Sequence, residues 1–189
     1  MKQKIAWKET DTVIGCLGFV NANKRPEKII EAVENIINDG YNVKLVFWGK
    51  AADTSIQKMI NMKKLNDKVF IMGYLEKDEY ETGIKLSDII VNLRYPSMGE
   101  SSGPLCESLK KGKAVLVSDL NQYKEFPDEV CWKVPVNKYE VDTLTALLRY
   151  LIEHEDVRTA LEKNAQAYAN SVLAPERIAT IYKKVIDEE

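Results

Sequence analysis

The sequence lacks the features that would mark a membrane, secreted or nucleic-acid-binding protein. It has no run of about 18 apolar residues, so we expect no membrane-spanning helix. Its start, MKQKIAWKETDT, is too polar for a secretory signal peptide. The 27 basic and 29 acidic residues leave a net charge of −2, with both signs mixed along the chain. A general nucleic-acid or membrane-surface binder would be strongly basic. We therefore expect a cytoplasmic protein with no nucleic-acid partner.

Cysteine and histidine are also scarce, which limits disulfide and metal chemistry. The three cysteines, Cys16, Cys106 and Cys131, are odd in number and widely spaced, as is typical of reduced core thiols. The only histidine, His154, lies in a helical pattern, where a surface or helix-end position is expected. Because no Asp or His cluster has the spacing of a metal site, we expect no metal and no other cofactor.

Two familiar phosphate-binding motifs are missing. There is no G-x-G-x-x-G after the first apolar run and no G-x-x-x-x-G-K-[ST] anywhere. These absences argue against a nicotinamide-dependent dehydrogenase and against a P-loop ATPase.

What the sequence does contain is a regular alternation of short apolar runs and helical patterns. The runs are TVIGCLGFV (12–20), VKLVFWG (43–49), KVFIMGY (68–74), DIIVNL (88–93), AVLVSD (114–119) and EVCWKVPV (129–136). Near-continuous apolar strands are typical of parallel sheets covered on both faces. The pattern predicts an α/β fold, a Rossmann-like doubly wound parallel sheet of about six strands.

The chain organisation follows from where the strands stop. After residue 138 only helical patterns remain, at about 140–155, 157–171 and 174–188. We therefore expect one domain over residues 1–189. Within it, residues 1–11 would form an N-terminal linker segment and residues 139–189 a helical C-terminal extension.

Two chemically rich loops fall where such a sheet binds its ligands. Ligands of doubly wound sheets bind at the carboxyl ends of the strands, where the strand order reverses. In the common order 3-2-1-4-5-6 this point lies between strands 1 and 4. The loops after those strands read NANKRP (21–26) and RYPSMGESSGP (94–104). We expect them to face each other across one crevice.

The first loop brings two cations to the start of a helix. Pro26 is expected at the first helical position, directly after Lys24 and Arg25. A helix N-terminus carries partial positive charge and attracts anions. The two cations are therefore either solvated surface residues or ligands of a bound anion.

The second loop enters a helix with features of a phosphate site. Pro104 suits the first helical position, and Gly103 permits close approach of the backbone. Free amides at a helix start bind phosphate. The segment predicted to contact the phosphate, through its free amides and hydroxyls, consists of Ser101, Ser102, Gly103, Pro104 and Leu105.

Two carboxylates near this phosphate site indicate a ligand that also has hydroxyl groups. Glu107 lies one turn into the helix on its polar side, and helical side chains lean back toward the N-terminus. Glu100 lies within the loop itself. Because a carboxylate accepts hydrogen bonds from sugar hydroxyls, phosphate and carboxylates together suggest a nucleotide.

These segments resemble the C-terminal, donor-binding domain of retaining glycosyltransferases with the GT-B fold, the glycogen-synthase-like and mannosyltransferase-like group. The similarity covers nearly the whole chain. It rests on GFVNANKRPEKIIEAV (18–33), VKLVFWGK (43–50) and SDIIVNLRYPSMGESSGPLCESLKKGKAVLVSD (87–119).

The resemblance implies roles for individual residues on the phosphate and ribose side. The family's diphosphate-binding lysine falls on Lys24. The arginine that usually assists it, three residues earlier, falls on Asn21, so this chain departs from the pattern. The second glutamate of the family's pair, which holds the ribose, falls on Glu107.

The resemblance also implies a sugar site and a base site. The family's first glutamate, which contacts the sugar, falls on Gly99, and Glu100 stands one position later. We retain Glu100 as a candidate catalytic residue beside Lys24. The nucleotide base would lie near the loop after the third strand, close to Tyr74 and Leu75.

Proteins of this kind have two α/β domains, and the one that holds the acceptor is not evident in this sequence. The resemblance therefore implies the donor half of a hexosyltransferase in polysaccharide or glycan biosynthesis. Its partners would be a nucleotide sugar and an N-terminal acceptor-binding domain, through which any membrane contact would occur. We expect the isolated domain to be inactive.

Two other interpretations stay open at this point. A binding or scaffold domain could have kept the fold without the reaction. A flavodoxin-like or epimerase-like α/β protein would have a similar sheet, with Lys24 and Glu107 paired by accident. Binding of a nucleoside diphosphate would favour the donor half of a glycosyltransferase over these two interpretations.

Overall fold

A computed structural model describes residue 8 and residues 10–187. The predicted linker, residues 1–11, lies almost entirely outside this part. The strands are β1 (Thr12–Leu17), β2 (Val43–Trp48), β3 (Val69–Ile71), β4 (Ile89–Asn92), β5 (Ala114–Ser118) and β6 (Trp132–Val134). The helices are α1 (Pro26–Asn38), α2 (Ser55–Met62), α3 (Lys77–Leu86), α4 (Gly103–Lys110), α5 (Glu140–Glu153), α6 (Glu155–Ser171) and α7 (Pro175–Asp187).

The strands form one parallel sheet in the order β3-β2-β1-β4-β5-β6, which confirms the predicted doubly wound fold. Every residue of β2 and of β5 is buried, as expected for strands covered on both faces. The longest pairing joins β1 and β2, in register from Thr12 opposite Val43 to Leu17 opposite Trp48.

Strands β1 and β2 are shorter than the apolar runs that predicted them. Each ends just before a glycine, and the backbones of these two glycines are in close contact. β1 stops at Leu17, and Gly18 then turns the chain with a φ of 80°. Gly49 follows β2, and a Cβ built on it would lie 2.1 Å from the carbonyl oxygen of Gly18. No larger residue fits at position 49 while the two strand ends stay this close.

Each face of the sheet is covered by its own apolar layer. Helices α1, α2 and α5, with the first half of α6, cover one face, and α3, α4 and the second half of α6 cover the other. The C-terminal helices α5 and α6 are thus not an appendage to the sheet. Leu144, Leu148 and Leu151 of α5 are buried in the first layer, and Ala165 and Ala169 of α6 in the second. A parallel sheet needs both faces covered, and these helices complete the cover.

The helix starts agree with the sequence at α1 and differ by one residue at α4. Pro26 begins α1 as predicted. Helix α4 begins at Gly103, so Pro104 is its second residue, and Ser102 is the N-cap. His154 lies half-buried between α5 and α6, at a helix end as expected. Within the described residues, no helix has the length and apolar character needed to cross a membrane.

Candidate functional site

The carboxyl ends of β1 and β4 lie side by side, and the loops that follow them are joined. β1 pairs with β4 at Ile14 opposite Ile89. We call residues 18–25 the β1 loop and residues 93–102 the β4 loop. The amide of Tyr95 in the β4 loop donates a 2.7 Å hydrogen bond to the carbonyl oxygen of Asn23 in the β1 loop. The two loops therefore lie against each other and line one crevice, as predicted.

The ammonium group of Lys24 lies at the bottom of this crevice. Its Nζ donates a hydrogen bond to the carbonyl oxygen of Leu17, the last residue of β1. A Cβ built on Gly18 would lie 2.9 Å from Lys24 Nζ and 3.8 Å from Cγ of Pro104. The amine thus lies over a bare stretch of backbone and close to the start of α4. An anion bound there would meet the cation and the helix N-terminus together.

The surroundings of Lys24 disfavour the protonated form of its amine. Burial, followed by the positive charge of Arg94, lowers the pKa of Lys24 from 10.5 to about 8. The thiol of Cys16 lies nearby, and burial raises its pKa to about 12, so it stays neutral. Within the described part of the chain, no carboxylate forms an ion pair with Lys24. A bound anion would supply the missing negative charge.

Arg25 has a different partner from the one predicted. Its Nε donates a 3.1 Å hydrogen bond to Oε1 of Glu140, and its Nη2 bonds the other carboxylate oxygen. Glu140 begins α5 and is only 2% exposed. The guanidinium therefore neutralises a buried carboxylate, which leaves fewer of its donors for the predicted contact with phosphate. No local pattern could show this pairing, because the partners are 115 residues apart.

The start of α4 offers fewer free groups than predicted. Ser102 is buried, and its hydroxyl accepts hydrogen bonds from the amide of Leu105 at 3.3 Å and from Nδ2 of Asn92 at 3.2 Å. Pro104 has no N–H group. In the residues that the structure describes, the amide of Gly103 donates to no protein acceptor. The contribution of α4 to an anion site is thus reduced to Gly103, with the exposed Ser101 beside it.

Glu100 is bound within its own loop. Its carboxylate accepts hydrogen bonds from Nη1 of Arg94, from Oγ of Ser97 at 3.0 Å and from the amide of Met98 at 2.8 Å. These donors, with Arg94 the strongest, lower the pKa of Glu100 to about 2. Gly99 has a φ of 85° and makes the turn that folds the carboxylate back. The predicted sugar contact of Glu100 thus competes with an internal ion pair.

Arg94 is the residue of the site that the sequence analysis did not single out. Its backbone amide donates a 2.8 Å hydrogen bond to Oγ of Ser118, which fixes it at the end of β4. Its side chain is 17% exposed, and its charge reaches Lys24 across the crevice. Only its position in the sequence could have indicated Arg94, since it lies near the start of the loop that the strand order places opposite Lys24.

Tyr74 and Leu75, the candidates for the base site, line a separate hollow at the ends of β1, β2 and β3. The hollow has a volume of about 340 Å³ and is lined by Gly18, Phe19, Trp48, Gly49, Lys50, Tyr74, Leu75 and Tyr80. The ring of Tyr74 is 76% exposed and therefore free to contact a ligand. Burial and the negative charge of Glu107 raise the pKa of the Tyr80 hydroxyl. Glu107 thus lies next to Tyr80, one of the residues that line this hollow.

The chain is similar to known glycosyltransferases along most of its length. Residues 1–168 match the model of the family "Glycosyl transferases group 1". An alpha-D-kanosaminyltransferase from Streptomyces kanamyceticus is 22% identical over 175 residues, which are 89% of this chain and 45% of that protein. This chain therefore spans less than half of that curated relative.

Solved structures share the fold. The C-terminal domain of a glycosyl transferase group 1 family protein (LpcC) from Francisella tularensis superposes with a TM-score of 0.76 at 18% identity, covering 90% of this chain and 88% of that one. Anabaena HepE, solved in complex with UDP and glucose, has a TM-score of 0.76 at 17% identity, covering 93% of this chain and 49% of that one. Since the family model matches most of the chain, this protein belongs to the glycosyl transferases group 1 family.

Proposed function

We propose that this chain is the donor-binding half of a retaining glycosyltransferase that takes a hexosyl group from a nucleoside-diphosphate sugar. The observation that carries the proposal is the position of Lys24. Its partly buried cation lies over bare backbone, beside the start of α4, and has no carboxylate partner in the part of the chain described. Such a site favours a ligand with concentrated negative charge.

The diphosphate of the donor would occupy the crevice between the β1 and β4 loops. Lys24 would contact the phosphate that becomes the leaving group, and the amide of Gly103 and the exposed Ser101 would contact its oxygens. Negative charge grows on this phosphate as the glycosidic bond breaks. A cation already in place stabilises that charge without further reorganisation. The same lysine charge would serve where other enzymes use a metal ion, so the proposal includes no metal.

The nucleoside would extend from the crevice into the hollow lined by Tyr74 and Leu75. A planar base can stack on an exposed aromatic ring. Glu107, which lies beside Tyr80 of this hollow, would accept hydrogen bonds from the ribose hydroxyls. The UDP complex of the similar Anabaena HepE fold supports the use of UDP as a first probe.

The acceptor would be held by a second domain. The curated relative is more than twice as long as the matched segment, which leaves room for a second domain on one side of the crevice. We propose that the N-terminal acceptor-binding domain closes this side and that any membrane contact is made through it. The isolated chain would bind its donor in glycan biosynthesis but transfer no sugar.

A binding experiment tests the proposal. UDP, GDP, ADP and dTDP would be titrated separately into the 189-residue chain by calorimetry, with the matching monophosphates as comparison. We expect one nucleoside diphosphate to bind, and to bind more tightly than its monophosphate. Absence of binding by all four diphosphates would favour a scaffold role, and sugar transfer by the isolated chain would contradict the two-domain proposal.

A further inference from the structure

The β1 loop, all of which the structure describes, supplies only one free positive charge, that of Lys24, to the proposed anion site. Asn21 stands where the resemblance places a second, arginine cation, and an amide carries no charge. Its Oδ1 is buried and finds no hydrogen-bond donor among the described residues. Arg25 has fewer donors to offer, because its Nε and Nη2 both bond the carboxylate of Glu140. Lys24 alone would then face a diphosphate.

The β4 loop brings a second cation to the same crevice from the opposite wall. Arg94 is the second residue after β4, and its amide is fixed by Ser118. The next residue, Tyr95, is hydrogen-bonded to Asn23 of the β1 loop at 2.7 Å. These two contacts hold the backbone on both sides of the Arg94 side chain. Its charge is close enough to Lys24 to disfavour the lysine cation.

The guanidinium of Arg94 is only partly used by the protein. Nη1 is bonded to Glu100, while Nε is buried and has no acceptor within the part of the chain described. A buried donor without a partner is costly. A guanidinium has five N–H donors in a planar fork, so it can bind one carboxylate and still offer donors to a phosphate. Two cations on joined loops, with one short of an acceptor, favour a ligand of high negative charge.

We infer that Arg94 supplies the second positive charge of the diphosphate site and that Glu100 is a positioning residue, holding the guanidinium at the crevice. This inference rests on the proposed function. Arg94 would thus supply, from the β4 loop, the charge that the resemblance assigns to an arginine at the position of Asn21. Glu100 would act through Arg94 and not by contacting the sugar.

The test compares Arg94 variants with a matched surface arginine. Arg94→Gln removes the charge, while Arg149→Gln removes an arginine that pairs with Asp39 at the exposed side of α5. The probe is the tightest-binding of UDP, GDP, ADP and dTDP, with its monophosphate for comparison. We expect Arg94→Gln to weaken diphosphate binding by about tenfold or more, the size of a charge-assisted hydrogen bond. It should weaken monophosphate binding less, and Arg149→Gln should change neither.

Glu100→Gln tests the positioning role. It leaves the Arg94 charge in place but removes the ion pair that orients it. We expect a smaller loss of diphosphate affinity than in Arg94→Gln, and no further loss when Glu100→Gln is added to Arg94→Gln. A further loss in the double variant would show that Glu100 contacts the ligand directly, and would overturn the positioning role.

A measurement on the unmodified chain does not depend on whether Arg94→Gln folds. The Nε–Hε resonance of Arg94, assigned by its absence from the spectrum of Arg94→Lys, should shift on saturation with the diphosphate. An unchanged resonance, or Arg94→Gln binding the diphosphate like wild type, would overturn this inference while leaving the proposed function intact. If the unmodified chain binds none of the four diphosphates, the proposed function fails and the inference fails with it.

Discussion

Arg25 and Glu140 form an ion pair that joins the start of α1 to the start of α5. The carboxylate is 2% exposed and the guanidinium 25%. This contact separates the roles of two neighbouring cations, because Arg25 has a partner in the fold and Lys24 faces the crevice. It also links a helix of the first half of the chain to one of the C-terminal helices.

Removing the arginine should therefore affect stability and not ligand binding. Arg25→Gln leaves Glu140 buried without its counter-charge. Breaking a buried pair costs about 3–5 kcal/mol, and because Arg25 is a quarter exposed we expect a loss of about 2–3 kcal/mol in the free energy of unfolding. Denaturant titration measures this loss. Adding Glu140→Gln should recover part of it, and diphosphate affinity should stay that of wild type. A large loss of affinity in a folded Arg25→Gln protein would restore Arg25 to the anion site.

Replacing Lys24 should distinguish the two phosphates of the ligand. If Lys24 contacts the terminal phosphate, Lys24→Ala should weaken binding of a nucleoside diphosphate by about ten- to a hundredfold, the equivalent of 1.5–3 kcal/mol. The monophosphate should lose much less. Lys28→Ala is the matched control, since Lys28 pairs with Glu31 on the outer surface of α1. Equal losses for the two ligands in calorimetry would remove the diphosphate assignment.

Glu107 should act on the ribose and not on the phosphates. Glu107→Gln keeps the shape of the side chain but weakens its hydrogen bonds to hydroxyl groups. We expect similar losses for the mono- and diphosphate, each of about tenfold. The loss should disappear with the 2′,3′-dideoxy analogue, which has no hydroxyls to bind. Glu129→Gln, at an exposed position before β6, is the control. An equal loss with the dideoxy analogue would rule out the ribose contact.

Diphosphate affinity should fall as the pH rises above about 8. Burial and the charge of Arg94 lower the pKa of Lys24 to about 8, and the cation is the form that binds phosphate. Well below pH 8, Lys24 is fully protonated, so diphosphate affinity does not change with pH through this group. Above that pH it weakens by at most about tenfold per pH unit, since one unit is worth about 1.4 kcal/mol.

Two variants test the origin of this pH dependence. The other groups facing Lys24 do not change charge in this range, because a guanidinium carries a permanent positive charge and the pKa of Cys16 is about 12. Lys24→Arg should bind with little change between pH 7 and about 9.5, since arginine keeps its charge. In Arg94→Gln the decline should begin at higher pH, because the neighbouring cation that lowers the Lys24 pKa is gone. A decline in Lys24→Arg as steep as in wild type would assign the pH dependence to another group.

The sheet, its strand order and the facing loops could be predicted from the sequence alone. Continuous apolar runs such as those around β2 and β5 are local patterns, and their alternation with amphipathic helices leaves few arrangements of a parallel sheet. Once the order is known, the loops that hold Lys24 and Glu100 must meet, because the carboxyl ends of parallel strands share one edge. This part of the site follows from periodicity and chain topology.

Side-chain partners were decided only by the tertiary structure. Arg25 belongs to Glu140, Arg94 to Glu100, and the hydroxyl of Ser102 to the cap of α4. A charged or polar side chain has many possible partners in a sequence. Which one it meets depends on rotamers and on how far two backbones stand apart, often between residues distant in the chain. The helices α5 and α6 show the same limit, since their periodicity predicts helices but only packing assigns each of them to a face of the sheet.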